Sequence, residues 1–189
     1  MLKPNAISLT LLTAGLLLSP TLEAQSPTQV VVRPPDVSGW RATRWGMSED
    51  QVKRVVPGRW RASTREERED DRDTYVPFVL KDVTIRGRHF IGLFGFSRTD
   101  RKLVAVTLHS GLPLIRPEEA TATFEQIVDE LEREFGSPAE IVRNNSGHTS
   151  FYADFAIWRF RSSVISLECL RPNDSERAIA LSYAPSSGN

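Results

Sequence analysis

The amino-acid sequence predicts an α+β fold: two units, each one helix with antiparallel sheet, set in tandem with the helices on one face of the sheet. Three observations carry this. Apolar residues recur at helical spacing in two segments, 48–56 and 117–135, while most segments between and after them alternate like half-buried strands. The two helical segments contain similar runs, "SEDQV" at 48–52 and "TFEQI" at 123–127. Each helix is followed by strands separated by turn residues, and a duplicated helix-plus-sheet unit is the economical arrangement for that order.

The first residues read as an address rather than as part of the fold. Lys3 precedes an apolar run from Ile7 to Leu18, Pro20 breaks it, and Leu22-Glu23-Ala24 offers a cleavage site, which makes 1–24 a signal peptide. A run of about a dozen apolar residues is too short to span a bilayer, which takes ~20. The expected location is therefore periplasmic or secreted, with no stable membrane span. The single cysteine, Cys169, forms no internal disulfide, so stability rests on packing.

The mature chain reads as a Pro- and Ser-rich extended leader over 25–39, one α+β domain over 40–185 (halves about 40–112 and 113–185), and a tail, 186–189. Val30 to Val32 of the leader would suit a sheet edge. Roughly 165 residues bury about 70% of their unfolded surface, enough for a single core. Formal net charge is zero, which argues against nucleic acid as a partner, since that calls for a basic excess or stripe.

The first helix starts at Ser48. Ser48 and Gln51 make a capping box, Met47 and Val52 a hydrophobic staple, and Glu49 and Asp50 place negative charge where the helix dipole favours it. Val52, Val55 and Val56 form its apolar face, and Pro57-Gly58 stops it. "REEREDDRD" at 65–73 holds three arginines and six acids with no apolar residue among them. It lacks the glycine and the ligand spacing of a calcium loop, and reads as a solvated connector.

Strands follow at 76–85, 89–96 and 102–110. Pairing the last two about Thr99 sets Phe90, Gly92 and Phe94 opposite Leu108, Val106 and Val104, one apolar face, and His89 opposite His109 on the other. The second helix, 117–135, opens on Pro117 with Glu118 and Glu119. Phe124, Ile127, Val128, Leu131 and Phe135 lie along one side, and Gly136 and Pro138 end it. Strands are then expected at 139–143, 150–160, 164–171 and 177–183. Pairing about Ser162 sets Ile157 opposite Leu167 and Phe155 opposite Cys169 as core.

"WGMSEDQVKRVVPG", residues 45–58, resembles the helix start of small bacterial envelope domains: the outer-membrane assembly lipoproteins of the SmpA/OmlA type and the β-lactamase inhibitory protein, whose fold is a tandem of helix-plus-sheet units. It is also similar to secreted bacterial proteins with a "WGMS" start, a later "FG-P" helix end, here Phe135-Gly136-Ser137-Pro138, and a Trp-bearing hairpin, here with Trp158. The resemblance implies a non-catalytic envelope or secreted domain acting through protein contacts. The chain has no lipobox cysteine, which departs from the lipoproteins.

Catalytic motifs are missing. There is no Gly-x-Ser-x-Gly elbow, His-Glu-x-x-His, Walker loop or Ser-x-x-Lys, and no cofactor is implied. Cys169 on its strand reads as a buried structural thiol. His89 and His109, if directly opposed, could share a metal or sense pH, although no third ligand is indicated. His148 reads as loop, and Asp154 and Glu168 as strand charges facing water. Trp40, Trp45 and Trp60 read as packing near the first helix.

Tyr152, Trp158 and Phe160 fall on the second face of the C-terminal hairpin. They are core if a helix covers that face, and a partner-binding patch if nothing does. The expected function is accordingly a non-catalytic protein-interaction module whose partner is an envelope or secreted protein. The alternative is a small-molecule or metal-binding protein, or an enzyme, using a helix/sheet pocket with His89 and His109.

Overall fold

The computed structural model describes residues 36–67, 73–111, 114–143 and 152–186. The expected signal peptide, the leader up to residue 35, the middle of the charged run (68–72), the turn holding His148 and residues 187–189 lie outside the described residues.

The elements in chain order are α1 (Glu49–Val55), β1 (Arg59–Ala62), β2 (Thr74–Tyr75), β3 (Phe78–Ile85), β4 (Arg88–Ser97) and β5 (Leu103–His109), then α2 (Pro117–Phe135), β6 (Glu140–Arg143), β7 (Tyr152–Arg159), β8 (Ser163–Leu170) and β9 (Ala178–Pro185). The strands form a single nine-stranded sheet in the order β1-β3-β4-β5-β9-β8-β7-β6, with β2 beside β4, and every pairing is antiparallel.

Two helix-plus-sheet units are therefore not what the chain builds. β5 pairs with β9, from Val106 opposite Tyr183 to His109 opposite Ala180, and this joins the two strand runs into one mostly β structure. Separate sheets would each leave an edge of unpaired N–H and C=O groups, and the β5/β9 ladder satisfies both. One helix, α2, lies across the sheet, over β7, β8 and β9. α1 has seven residues, about 10 Å of helix, which spans only about two strand spacings.

α1 forms for the local reasons its sequence suggests. The Ser48 N–H donates to Gln51 Oε1 at 2.8 Å and the Gln51 N–H donates to Ser48 Oγ at 3.4 Å, completing the capping box. Its inward side is Val52, fully buried, with Val56 just beyond its end. The preceding turn clamps it to β5: the Gly46 N–H donates to the Leu103 carbonyl (3.0 Å) and the Leu103 N–H to the Met47 carbonyl (2.9 Å). Gly46 has φ +83°, a conformation that disfavours a side chain. Replacing Ser48 by Ala is expected to lower stability by about 1 kcal/mol, read from the urea midpoint. An unchanged midpoint would mean that packing of Val52 alone holds the helix.

α2 begins at Pro117 with Glu118 and Glu119 in its first turn and ends at Gly136, φ +83°. Its buried side is Ala120, Thr123, Phe124, Ile127, Val128 and Leu131, and Phe135 at its end packs edge-on to Phe160 (5.4 Å). The sheet face beneath it can be followed through the registers as one row: Trp60, Leu80, Gly92, Leu108, Leu181, Leu167, Ala156, Ile141. This side carries the core.

Candidate functional site: the open face of the sheet

Strand residues alternate between faces, so the registers also define the surface turned away from α2. One row across it reads Arg61, Val79, Leu93, Thr107, Ser182, Ser166, Ile157, Glu140. The next reads Ile91, His109, Ala180, Glu168, Phe155, Val142. No helix among the described residues lies on this face. It has apolar flanks, Leu93 with Ile91 on one side and Ile157 with Phe155 on the other, and a central hydroxyl stripe in which Thr107 Oγ1 and Ser182 Oγ share a hydrogen bond of 3.1 Å. Val142, on the adjacent strand β6, is 38% exposed.

The two charged members of the second row are both pushed toward their neutral forms. Burial lowers the His109 pKa, and burial raises that of Glu168 against a weaker opposing hydrogen bond from Ser166. Desolvation of this kind on a face that no helix covers comes from the neighbouring side chains and loops. Toward β4 the face deepens into a cleft of about 800 Å³, with Arg61 and Glu67 on its rim and Ile91, Leu93, His89 and His109 within.

His89 and His109 thus share a cleft, but not as a directly opposed pair. His109 stands opposite Ile91, which places His89 diagonally across from it on the same face, at a Cα separation of about 7–8 Å for such pairs. His109 Nδ1 accepts the Gly111 N–H at 2.9 Å, and among the described residues no group of three His, Cys, Asp or Glu could hold a metal. Beside α2, His89 lines a second pocket with Glu119, Thr123 and Gln126, and His109 is not among its lining residues.

The slip has a local cause. The turn runs from Ser97 to Lys102, closed by Ser97 N–H to the Lys102 carbonyl (2.8 Å) and Arg101 N–H to the Ser97 carbonyl (2.9 Å), and a bulge follows at Gly95/Phe96. Phe94 therefore faces Val106, two residues from the expected register, and a two-residue slip leaves each side chain on its original face.

At the C-terminal hairpin the difference is one residue, and one residue exchanges the faces. The loop is Arg161-Ser162 alone, closed by the Phe160 N–H on the Ser163 carbonyl at 2.8 Å, so Trp158 pairs with Ile165, Ala156 with Leu167 and Ile157 with Ser166. Trp158, expected on the second face, is 2% exposed beneath α2, and its Nε1 donates to the Gly136 carbonyl at 2.8 Å. Phe160 is half-buried against Phe135. The structure accordingly places Trp158 in the core and Phe160 against it. Tyr152 opens β7 opposite Leu170, and its side chain lies outside the described set.

Phe155 and Ile157, expected as core, belong to the open face instead. A signal for this was present: two-residue loops are the commonest hairpin connection. Asp36 holds this loop from far along the chain, accepting the Ser162 N–H at 3.0 Å and the Ser162 Oγ–H at 2.5 Å, and no local pattern announces that contact. Asp154 and Glu168 separate for the same reason. Asp154 faces the core opposite Cys169 and is 6% exposed, while Glu168 is on the open face.

Cys169 is buried, and its thiol is pushed up to about 11, first by desolvation and then by the charge of Asp154. Only the thiolate is nucleophilic. In the native protein Cys169 is expected to resist iodoacetamide at pH 8 and to react once urea unfolds the chain. Stoichiometric labelling of the folded protein within minutes would contradict its burial. Trp40 and Trp60 pack on Phe94, and Trp45 Nε1 donates to Ser163 Oγ at 2.8 Å, so all three serve packing.

No helix among the described residues is long and apolar enough to cross a membrane. Compared with known families, with curated proteins and with solved structures, the chain matches none of them.

Proposed function

We propose that the protein is an exported, non-catalytic interaction module of the bacterial cell envelope that holds a protein partner against the open face of its sheet. The observation behind this reading is the make-up of that face. Leu93 and Ile91 lie on one flank, Ile157, Phe155 and Val142 on the other, and the Thr107, Ser182 and Ser166 hydroxyls run between them. Apolar patches around a hydrogen-bonding centre suit a protein surface, where a stable contact buries about 800 Å² per partner. Export is supported by the Lys3, Ile7–Leu18 and Leu22-Glu23-Ala24 pattern, and an envelope role by the resemblance of residues 45–58 to envelope domains.

The test is a double variant, Leu93→Lys with Ile157→Lys. Leu93 and Ile157 are half-buried on a face that no described helix covers, so the variant should stay folded with a loss of about 1–3 kcal/mol while a partner cross-linked in the envelope fraction is lost. Recovery of the same partner at the same yield would sink the reading. Unfolding of the variant would show that something covers the face.

A further inference from the structure

The cleft on the open face reaches His109, the last residue of β5, and the chain leaves that strand through Ser110 and Gly111, which line the cleft beside it. Ser110 is tied twice to Ile179: its N–H donates to the Ile179 carbonyl (2.9 Å), and its Oγ accepts the Ile179 N–H (3.0 Å). Gly111 is held differently. Its N–H donates to His109 Nδ1 at 2.9 Å, and its φ of +66° turns the chain away from the strand. A ring nitrogen that accepts a hydrogen bond carries no proton, so the imidazole is neutral, with its proton on Nε2. The turn is therefore closed by an acceptor that titrates.

The groups around the ring leave it neutral. On β4, Ile91 stands opposite and His89 diagonally; on β9, Ala180 stands opposite, with Glu168 of β8 beyond it. The other charged groups lining the cleft are Arg61, Glu66, Glu67, Lys81 and Asp82. Arg61 pairs with Glu67 and Asp82 with Arg59, while Glu66 bonds to Thr64. Among the described residues no carboxylate bonds to the ring, and burial disfavours its charged form.

A proton on Nδ1 has two consequences. It sets a donor against the Gly111 N–H, which breaks the bond that closes the turn. It also places a positive charge beside Ile91, a half-buried apolar side chain on the flank of the open face, where charge is poorly solvated.

We infer that protonation of His109 opens the Ser110–Gly111 turn at the cleft and releases the partner held on the open face, so that the protein binds near neutral pH and lets go in acid. This rests on the open-face reading and adds its regulation. Burial lowers the His109 pKa from its ordinary value of 6.5, so the ring stays neutral down to that pH and charges only as the pH falls further. The Gly111 bond is whole above that range, and the stability it lends is lost as the pH falls through the lowered value.

A nitrogen-15 NMR titration of the folded protein between about pH 7.5 and about pH 4.5 tests the switch. The His109 ring and the Gly111 amide should titrate with one shared midpoint below about 6.5. The Gly111 amide, corrected for intrinsic exchange, should lose about tenfold or more of its protection below that midpoint. His109→Asn is the control, because an asparagine oxygen accepts a backbone N–H two residues on and does not titrate. The parent protein should yield about tenfold less cross-linked partner at about pH 5 than at about pH 7.5, and His109→Asn equal amounts. A Gly111 amide indifferent to the ring's titration would overturn the switch. Equal acid loss of partner from His109→Asn would overturn the role of His109 in release. Absence of any partner at neutral pH would overturn the open-face reading and the release with it, while the titration by itself decides the switch.

Discussion

Truncating Trp158 to alanine is expected to lower stability by about 3–5 kcal/mol. The indole is 2% exposed, stands opposite Ile165 on β8, and ties the end of α2 to the sheet through Nε1 on the Gly136 carbonyl. Two losses combine: a cavity under the helix that neighbours fill only partly, and a hydrogen bond worth about 1 kcal/mol. A domain of this size has about 5–15 kcal/mol of stability in all, so the melting temperature should drop by on the order of 10 °C, at roughly 2–4 °C per kcal/mol. Trp158→Phe separates the two terms, since it keeps most of the ring volume and removes only the donor, and it should cost about 1–2 kcal/mol. Unchanged unfolding of Trp158→Ala would return the residue to the surface and revive it as a partner contact.

That result bears on how much of the architecture can be read from the chain alone. Helix limits are local chemistry, and they are legible: Ser48 with Gln51 starts α1, Pro117 starts α2 and Gly136 stops it. Strand existence is nearly as legible, because alternation is local too. The union of the two halves is different. It rests on β5 meeting β9, where Thr107 bonds Ser182 across 75 residues of sequence, and neither strand carries a mark naming its partner. What could have foretold it is a general constraint, that two small sheets would have left two edges open.

The candidate site was legible only as far as the register was. In the β4/β5 hairpin the two-residue slip left Leu93, Ile91 and both histidines on the expected side, and cost only the direct opposition of His89 and His109. In the β7/β8 hairpin the one-residue slip exchanged Trp158 for Ile157, so of the two readings open for Trp158 and Phe160 the covered one holds, Trp158 in the core and Phe160 half-buried beside it, and two expected core residues became the flank of the open face. The turn that decides this is two residues long, and Asp36 grips it from outside the hairpin. A pattern of side chains fixes which residues share a face; the loop decides which face that is.

The second large effect lies at the other end of the sheet, at Phe94. Its ring is fully buried and is the meeting point of three aromatic residues from separate parts of the chain: Trp40 of the segment before α1 (5.9 Å, edge-on), Trp60 of β1 (5.0 Å, edge-on) and Phe78 of β3 (6.1 Å, tilted). Gly92, two residues back on the same face, leaves room for the ring, since a Cβ there would come within 3.2 Å of Phe94 Cε2. Phe94→Ala is expected to cost about 3–5 kcal/mol from the lost volume, with about 0.5–1.5 kcal/mol for each favourable ring pair beyond its buried area. Phe94→Leu retains much of the volume but none of the ring edges, so it should cost less than the alanine variant and more than the ~1.5 kcal/mol ceiling usual for volume-matched swaps. Urea unfolding followed by tryptophan fluorescence reads both variants, because Trp40 and Trp60 are themselves in contact with the altered side chain. Equal losses in the two variants would show that filling space, and not the geometry of the four rings, is what holds the segment 36–44 and the edge strand β1 onto the sheet.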